Sequence, residues 1–492
     1  MFAVKKHIAG ILACVFFLLC STMVSANNSE PVTPERELVG AVCVIRADNK
    51  MVMLSEMITR KMALPGGYID GKDSPEQSAI REALEETGID VEIDHLIQYR
   101  GRAAIYACVA KSPILVSTTT DTTGFAIVES SSSEHFGKEV RRVYLVEPSA
   151  VTAEEYRFPK DKPRLAKWLA ETPESEISYY SDLSERANHM HQFELEVIKG
   201  FQQSIKQMSP SAQAMFEAAM TVLNLPGETV FIAILVVATA AMFGVKSLLR
   251  LAFVLLSVTY IASVLKLSIA SPRPFYIIPE LKQANAYGFG FPSGHTLMAT
   301  VLWGLAWYYL ARKRGLRVMY SLLPVAFLFA IGQATARVWY GVHFITDTIA
   351  SIMLGSGMVA VYIAWLNSED NSLDERIVGK GFWLIMALIV GLTASFSHAP
   401  DHTYLFAVLL GVLLSLDYVD WKVSARQLSY PKQAISFVVI SVGVMAIASL
   451  TLWAANQSSM SLVVLTVRSI GGLLVAIWLT AGTSMIHKRL SR

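Results

Sequence analysis

The distribution of apolar residues divides the chain near residue 225. Before that point, polar residues interrupt short apolar runs, which is typical of a water-soluble region. Beyond it, apolar stretches long enough to cross a bilayer recur, and we expect nine membrane spans. These cover residues 230–246, 249–266, 295–311, 318–335, 344–366, 381–397, 403–417, 433–455 and 461–485. The pattern predicts a soluble N-terminal region followed by an all-α polytopic membrane region.

Within the soluble region, the pattern predicts strands and one well-marked helix. Ser74 suits the N-cap, Pro75 the first helical position and Gln77 the reciprocal capping bond, while Gly88 suits the C-terminal end. Alternating or β-branched residues predict strands over 38–47, 50–57, 103–110, 124–129 and 140–147.

The first 26 residues have the pattern of a secretory signal peptide. Two lysines precede an apolar run over residues 8–24, and a small-residue cleavage signal ends at Ala26. An uncleaved anchor is the alternative, because the run is nearly long enough to span. In both cases the following domain is expected on the outer side. There Cys43 and Cys108 either form a disulfide or remain two buried thiols, and the sequence leaves both open.

Composition and charge agree with a membrane protein. The 492 residues are 53% hydrophobic and 17% charged, and the net charge of +2 gives no reason to expect a nucleic-acid partner. Strict alternation of the nine spans places the basic connections on one side, which should be the cytoplasm of a bacterial inner membrane. Those connections lie at residues 246–250, 312–317, 422–432 and 487–492.

Three polar segments interrupt the apolar sequence, and all would face the opposite, periplasmic side. They are Lys266-x6-Arg273-Pro274, Pro292-Ser293-Gly294-His295 and Arg337-x5-His343-x3-Asp347. Charged residues at a membrane edge are costly and indicate function by default. The three cations can neutralise phosphate oxygens, and Ser293 and Gly294 allow close approach and add donors. One histidine can attack phosphorus while the other protonates the leaving oxygen, and Asp347 can orient His343 from the next helical turn.

In this order, the three segments resemble the motifs of the type 2 phosphatidic acid phosphatase (PAP2) superfamily. One departure is Ala336 before Arg337, where the family usually has serine. The resemblance implies a phosphohistidine on His343, His295 as general acid, and no metal. It also implies phosphate binding by Lys266, Arg273, Ser293, Gly294 and Arg337. The alternative is that these residues only pair with neighbours between helices.

The predicted helix of the soluble region carries three carboxylates on one face. Glu82, Glu85 and Glu86 stand at i, i+3 and i+4, where they would repel one another without a counter-charge. Oxygen ligands suit a hard cation, Mg²⁺ or Mn²⁺, which would also bind a diphosphate.

This segment resembles the Nudix box. The matching positions are Gly67, Asp73, Arg81, Glu82, Ala83, Glu85, Glu86, Gly88 and Ile89; Asp73 replaces the usual first glutamate and Ala83 is small. The resemblance implies an α+β sandwich, with a twisted mixed sheet between helices. It also implies metal binding by Glu82, Glu85 and Glu86, with Arg81 orienting a glutamate and Glu134 as a candidate distal base. A binding module without activity is the alternative.

Together these observations predict five segments and one principal activity. The segments are a signal peptide (1–26), a Nudix-like domain (36–158), a helical connector (159–228), a PAP2-like domain (229–368) and additional transmembrane helices (380–486). We expect a membrane lipid phosphatase, with undecaprenyl diphosphate as the preferred substrate and a phosphatidic acid or phosphatidylglycerophosphate as the alternative. A lipid phosphotransferase, or an envelope lipid-binding protein with an inactive Nudix module, also fits the sequence.

Overall fold

A computed structural model describes residues 37–369, 372–423, 425 and 428–492, so the predicted signal peptide lies outside the described residues. The soluble region is built on a ten-stranded mixed sheet. Its strands are β1 Gly40–Ala47, β2 Lys50–Glu56, β3 Met62–Ala63, β4 Gly66–Tyr68, β5 Val91–Arg100, β6 Ala103–Ala110, β7 Ile114–Thr120, β8 Ala126–Val128, β9 Val140–Val146 and β10 Ile177–Tyr180.

The main path of the sheet runs β10-β7-β8-β9-β2-β1-β6-β5, with β3 paired to β2 and β4 to β1. The β1–β6 and β7–β10 pairs are parallel, which makes the sheet mixed as expected. Its last strand comes from beyond residue 158, so the sheet takes in part of the segment predicted as a helical connector. Cys43 on β1 and Cys108 on β6 form a disulfide between these neighbouring strands, which settles the alternative left open by the sequence.

Helix α1, Pro75–Thr87, confirms the predicted capping. Ser74 Oγ accepts from the backbone N–H of Gln77, the Gln77 side chain accepts from the N–H of Ser74, and Gly88 ends the helix with φ +74°. The helix packs on β1 and β4, so its acidic face adjoins Gly66 and Gly67 of β4. This region continues through α2, Leu165–Glu171.

The remainder of the described chain is helical. It comprises α3 His189–Lys206, α4 Pro210–Asn224, α5 Thr229–Phe243, α6 Val245–Ile269, α7 Gly294–Ala311, α8 Leu316–Trp339, α9 Ile345–Leu366, α10 Lys380–Ser397, α11 Pro400–Ser415, α12 Tyr430–Asn456, α13 Ser461–Ile477 and α14 Thr483–Leu490, with short helical turns between some of them.

Helices form over all nine predicted spans, but fewer qualify as spans by length and apolarity. Among the described residues six do, and a seventh does when α4 and α5, which meet at a 51° bend, are counted together. Helix α11 has only 16 residues, fewer than the roughly 20 that cross a bilayer. Helix α7 carries His295 and several tryptophan and tyrosine residues among its apolar ones. Six of the nine predicted spans therefore coincide with helices that qualify as membrane spans on their own.

Ion pairs and hydrogen bonds join the basic connections at one end of the helical bundle. Lys246 and Arg250 pair with Asp374, and Lys488 pairs with Asp420 at 2.9 Å. The polar segments around residues 266–293 and 343–347 lie at the other end, and the soluble region packs there too.

Aromatic and cationic contacts hold the soluble region against that end of the membrane region. The Phe136 ring lies 5.2 Å from the ring of Tyr276 and 5.5 Å from that of Phe289. Arg142 stacks over Phe275 and Tyr276, with its guanidinium 5.4 and 5.3 Å from the ring centroids. The loop that carries Phe136 therefore bridges the two halves of the molecule.

Candidate active sites

The acidic cluster of the soluble region is centred on Arg81. Its guanidinium lies 3.2 Å from Asp73, 3.0 Å from Glu82 and 2.8 Å from Glu85, measured to the nearest carboxylate oxygens. A Cβ at Gly67 of β4 would lie 2.4 Å from the Glu82 carboxyl carbon, so a larger residue there would displace that carboxylate. Burial raises the pKa of Glu82, and Arg81 partly offsets this effect.

Glu86 has a different environment from its two neighbours. It is 8% exposed and accepts a 2.8 Å hydrogen bond from the backbone N–H of Gly66. Burial raises the pKa of Glu86 well above its usual range. The structure therefore places Glu86 against Gly66 of β4, beside the acidic cluster but without a direct contact to Arg81.

The group best arranged to hold a cation consists of Glu82, Glu85 and His135, which offer ligand atoms within 4.8 Å of one another. His135 Nε2 lies 3.7 Å from Glu85 Oε2, and its Nδ1 is buried without a hydrogen-bond partner among the described residues. Two carboxylates and an imidazole suit a divalent cation such as Mn²⁺, and the carboxylates suit Mg²⁺. These residues therefore fit a divalent metal. The exposed neighbour Glu134, our candidate for a distal base, lies outside this group.

In the membrane region, the three polar segments converge on one cavity of about 290 Å³. Six of the eight predicted site residues line it, namely Lys266, Arg273, Gly294, His295, Arg337 and His343. Gly294 opens helix α7, so the positive end of the helix dipole faces the cavity. Met57 and Gly137 of the soluble region also line it, which places that region over its mouth. The cavity is therefore built to receive an anion.

Backbone carbonyls of the 287–290 loop hold two of the cations. Lys266 Nζ donates to the carbonyl of Phe289 at 2.7 Å, and Arg273 donates from Nε to that of Gly288 at 2.9 Å. Arg273 also donates from Nη1 to the Val342 carbonyl at 2.7 Å. These carbonyls fix both side chains in position and carry no negative charge that would neutralise a cation.

The contacts of His343 define which nitrogen carries its proton. Arginine has only donors, and Arg273 Nη1 lies 3.1 Å from His343 Nε2, so Nε2 accepts and the proton of the neutral ring is on Nδ1. Nδ1 faces Asp347 Oδ2 at 3.4 Å, and the same oxygen accepts from the Phe344 N–H at 3.0 Å. His343 and Asp347 are 2% and 1% exposed. The Nε2 lone pair is therefore directed into the cation cluster, as a nucleophile requires.

Ser293 lies behind the cavity, where it caps a helix. It is fully buried, and its Oγ accepts from the backbone N–H of Thr296 at the start of α7. The structure thus gives Ser293 a role in shaping the α7 terminus, and its hydroxyl is not on the cavity wall.

Sequence reasoning missed two polar residues beside His295 and Arg337. Glu228 Oε1 lies 3.5 Å from His295 Nε2, and Asn224 Oδ1 accepts from Arg337 Nη1 at 3.3 Å. Asn224 also donates to Glu228 at 2.5 Å, which links the two contacts. The one available signal was an acidic residue immediately before a predicted membrane span.

Sequence reasoning also missed Glu194, a residue of the connector. Glu194 on α3 is 2% exposed, and its carboxylate accepts from the N–H of Thr346 at 2.7 Å and from its hydroxyl at 3.1 Å. These bonds fix the first turn of α9, which carries Asp347. The connector is therefore part of the support of the site.

Comparison with known proteins gives matches for each half. Residues 35–170 match the NUDIX domain model, and residues 247–371 match that of the PAP2 superfamily. The chain is 23% identical over 218 residues to "Lipid phosphate phosphatase delta" of Arabidopsis thaliana, covering 41% of this chain and 50% of that protein. It is 38% identical over 53 residues to a "MutT-like protein" of Streptomyces ambofaciens, covering 11% of this chain and 34% of that protein.

Among solved structures, the membrane region is similar to a transmembrane PAP2-type phosphatidylglycerolphosphate phosphatase from Bacillus subtilis. The TM-score is 0.31 at 23% identity, over 38% of this chain and 93% of that one. The chain spans half or less of the length of the curated relatives that it matches. On the matches of the two family models, the chain combines a NUDIX domain and a PAP2 superfamily domain in one polypeptide.

Proposed function

We propose that the membrane region is a lipid phosphatase that works through a phosphohistidine on His343. The observation that carries the proposal is the convergence of Lys266, Arg273, Arg337 and two histidines on one cavity, although Lys266 and His343 are 77 positions apart in the sequence. Arg273 and Arg337 are buried, and no carboxylate within ion-pair distance of Lys266, Arg273 or Arg337 is found among the described residues; such cations are costly unless they bind an anion. A terminal phosphate supplies that anion.

In the proposed mechanism, the lipid phosphate binds between the three cations and the N-terminus of α7. His343 Nε2 attacks phosphorus, and the bond from phosphorus to the lipid-side oxygen breaks. His295 transfers its proton to that oxygen, while Asp347 stabilises the charge that develops on the His343 ring. Water then attacks phosphorus, the bond from phosphorus to His343 Nε2 breaks, His295 takes up a proton of the water, and phosphate leaves. The fixed cations stabilise the transition-state charge, and no metal takes part.

The NUDIX domain is proposed to be a second hydrolase, specific for diphosphates. A divalent cation held by Glu82, Glu85 and His135 would polarise the diphosphate and bring a water molecule to phosphorus. Arg81 holds both glutamates in place. Glu86, hydrogen-bonded to Gly66, positions strand β4 against the cluster.

The proposed location is the bacterial inner membrane, with both sites on the periplasmic side. Lysines and arginines collect at the opposite end of the bundle, as cytoplasmic connections require. The disulfide of the NUDIX domain supports an oxidising compartment.

The preferred substrate is undecaprenyl diphosphate, converted to the monophosphate in the outer leaflet. A lipid diphosphate needs an outward-facing phosphatase, which the proposed orientation provides. The second candidate is a glycerolipid monophosphate such as phosphatidic acid, because the matched Arabidopsis protein is named a lipid phosphate phosphatase.

Phosphate release by detergent-purified protein tests the proposal. Undecaprenyl diphosphate and phosphatidic acid are offered in parallel, each with and without EDTA, to wild type and to His343→Ala. We expect release from undecaprenyl diphosphate that resists EDTA and is lost in His343→Ala. Release only from phosphatidic acid would replace the substrate, and release that EDTA abolishes would transfer the activity to the NUDIX domain.

A further inference from the structure

A cavity of about 670 Å³ opens beside the acidic cluster of the NUDIX domain. Gly66, Gly67 and Glu86 form the end nearest the cluster, since a Cβ on Gly67 would touch Glu82. Tyr156 and Trp168 contribute an aromatic wall. The cavity therefore continues from the diphosphate site and is wide enough for the group attached to a diphosphate.

Arginines line the same cavity and differ in how far their charge is neutralised. Arg100 pairs with Asp161 at 2.5 Å, and its guanidinium lies 4.4 Å from the centre of the Phe158 ring. Arg102 donates to the neutral backbone carbonyl of Glu37 at 3.0 Å and is exposed. Arg102 therefore offers a positive charge to an anionic ligand.

The opposite rim of the cavity comes from the membrane region. Residues 459–462, which include the first two residues of α13, line it, and polar contacts join this segment to the NUDIX domain. Arg157 donates to Ser461 Oγ at 3.2 Å, and Ser461 donates to Glu56 Oε1 at 3.1 Å. Lys61 donates to Ser459 Oγ at 3.4 Å. The membrane segment is thus held in place as a wall of the cavity.

Two apolar side chains of this rim are largely exposed. Met460 and Leu462 are 64% and 70% exposed, and both stand at the start of the candidate span Ser461–Leu490. The first turn of a membrane span lies at the boundary between lipid and water. The cavity therefore opens where an acyl or prenyl chain of the outer leaflet is present, and both side chains are placed to contact it.

We propose that the NUDIX cavity takes a diphosphate that is linked to a membrane lipid. This inference rests on the proposed hydrolase function of the NUDIX domain and specifies its substrate class. The diphosphate lies at the Glu82–Glu85–His135 cluster, the group attached to it lies against the aromatic wall, and the lipid passes between Met460 and Leu462 into the bilayer.

Hydrolysis of such a substrate yields a compound that the second site can accept. Water attacks one phosphorus, the P–O–P bond breaks, and the products are a lipid monophosphate and the phosphorylated head group, with the released proton going to solvent. The lipid monophosphate carries a terminal phosphate, as does a glycerolipid monophosphate, the second candidate substrate of the His343 cavity. The two sites then act in sequence on the same side of the membrane.

Equilibrium binding tests the inference independently of turnover. The full chain carrying His343→Ala is titrated in detergent and EDTA with CDP-diacylglycerol, a lipid-linked diphosphate, and with CDP-glycerol, its soluble counterpart. We expect the lipid-linked probe to bind about tenfold or more tightly, the factor that burial of one apolar group supplies. Met460→Ala/Leu462→Ala should reduce that ratio about tenfold.

The matched control is Leu450→Ala/Leu452→Ala on α12, which changes two side chains that are 64% and 55% exposed and lie off the cavity. This control should keep the ratio. Equal affinity for the two probes, or the same loss in both double variants, would overturn the inference. Mg²⁺-dependent cleavage is then measured: cleavage of CDP-glycerol alone would retain the NUDIX hydrolase and reject the lipid, whereas cleavage of neither probe would reject both.

Discussion

The replacement Asp347→Asn isolates the contribution of one negative charge to the phosphatase site. Asp347 Oδ2 faces His343 Nδ1 at 3.4 Å and accepts from the Phe344 N–H at 3.0 Å. Asparagine has nearly the same shape and keeps an oxygen acceptor for Phe344, so the first turn of α9 remains capped. The change therefore removes the charge that stabilises a cationic His343 ring and leaves the fold in place.

The expected magnitude follows from the burial of the pair. Both side chains are at most 2% exposed, so solvent does not screen them. A hydrogen bond to a charged group contributes about 1.5–3 kcal/mol. If this energy is realised only when the ring becomes positive, kcat falls about 10- to 150-fold.

The assay is phosphate release in EDTA under saturating lipid substrate, so that the NUDIX site is silent and KM effects are separated. The control is Asp417→Asn, the same chemical change on an exposed residue that pairs with Lys380 at the opposite end of the bundle. Exposed pairs contribute about 0–1 kcal/mol, so this variant should keep its rate. A kcat for Asp347→Asn within twofold of wild type would refute the proposed role of Asp347.

Three further predictions address the NUDIX domain and its contact with the membrane region. Glu86→Gln should leave EDTA-resistant phosphatase activity intact. Because burial raises the pKa of Glu86, the folded state holds the proton of this carboxyl group more tightly than the unfolded state does. Stability therefore falls as pH rises above the ordinary value of 4.5. Thermal unfolding in EDTA should show a weaker pH dependence of stability for Glu86→Gln. Gly67→Ala places a Cβ 2.4 Å from the Glu82 carboxyl carbon, and Mg²⁺-dependent diphosphate hydrolysis should drop at least about tenfold, with phosphatase activity as the internal control. Phe136→Ala removes a buried ring from between Tyr276 and Phe289, with an expected loss of about 3–5 kcal/mol of packing energy. This loss should loosen the loop whose carbonyls hold Lys266 and reduce phosphatase kcat. An unchanged kcat would show that the two halves act independently.

Local sequence signals were sufficient for the elements that carry the sites. The capping residues Ser74 and Gly88 mark the ends of α1, because caps are determined within a few residues of the helix terminus. Asp347, the third residue of α9, reaches back over the N-cap residue Phe344 to His343, which is also a short-range arrangement. Each polar segment of the phosphatase site could therefore be placed from its own spacing.

Contacts between distant segments were beyond local reasoning. His135 is far from Glu82 and Glu85 in sequence, and only the folded sheet brings the three side chains together. Its neighbour Glu134 is exposed. Glu228 reaches the phosphatase site from the start of α5 and Glu194 from α3, with no periodicity to reveal their direction. The packing of the NUDIX domain over the phosphatase cavity depends on surfaces far apart in sequence, such as Phe136 and Phe289.

The central claim, a phosphohistidine on His343 formed without metal, is tested most directly by trapping that intermediate. Purified protein in EDTA is mixed with a lipid substrate carrying ³²P in its terminal phosphate, quenched in alkali and digested, and the labelled peptide is identified. The account predicts base-stable, acid-labile label on the peptide that contains His343, and no label in His343→Ala. Rapid phosphate release without label on any peptide, or the same label in His343→Ala, would contradict it.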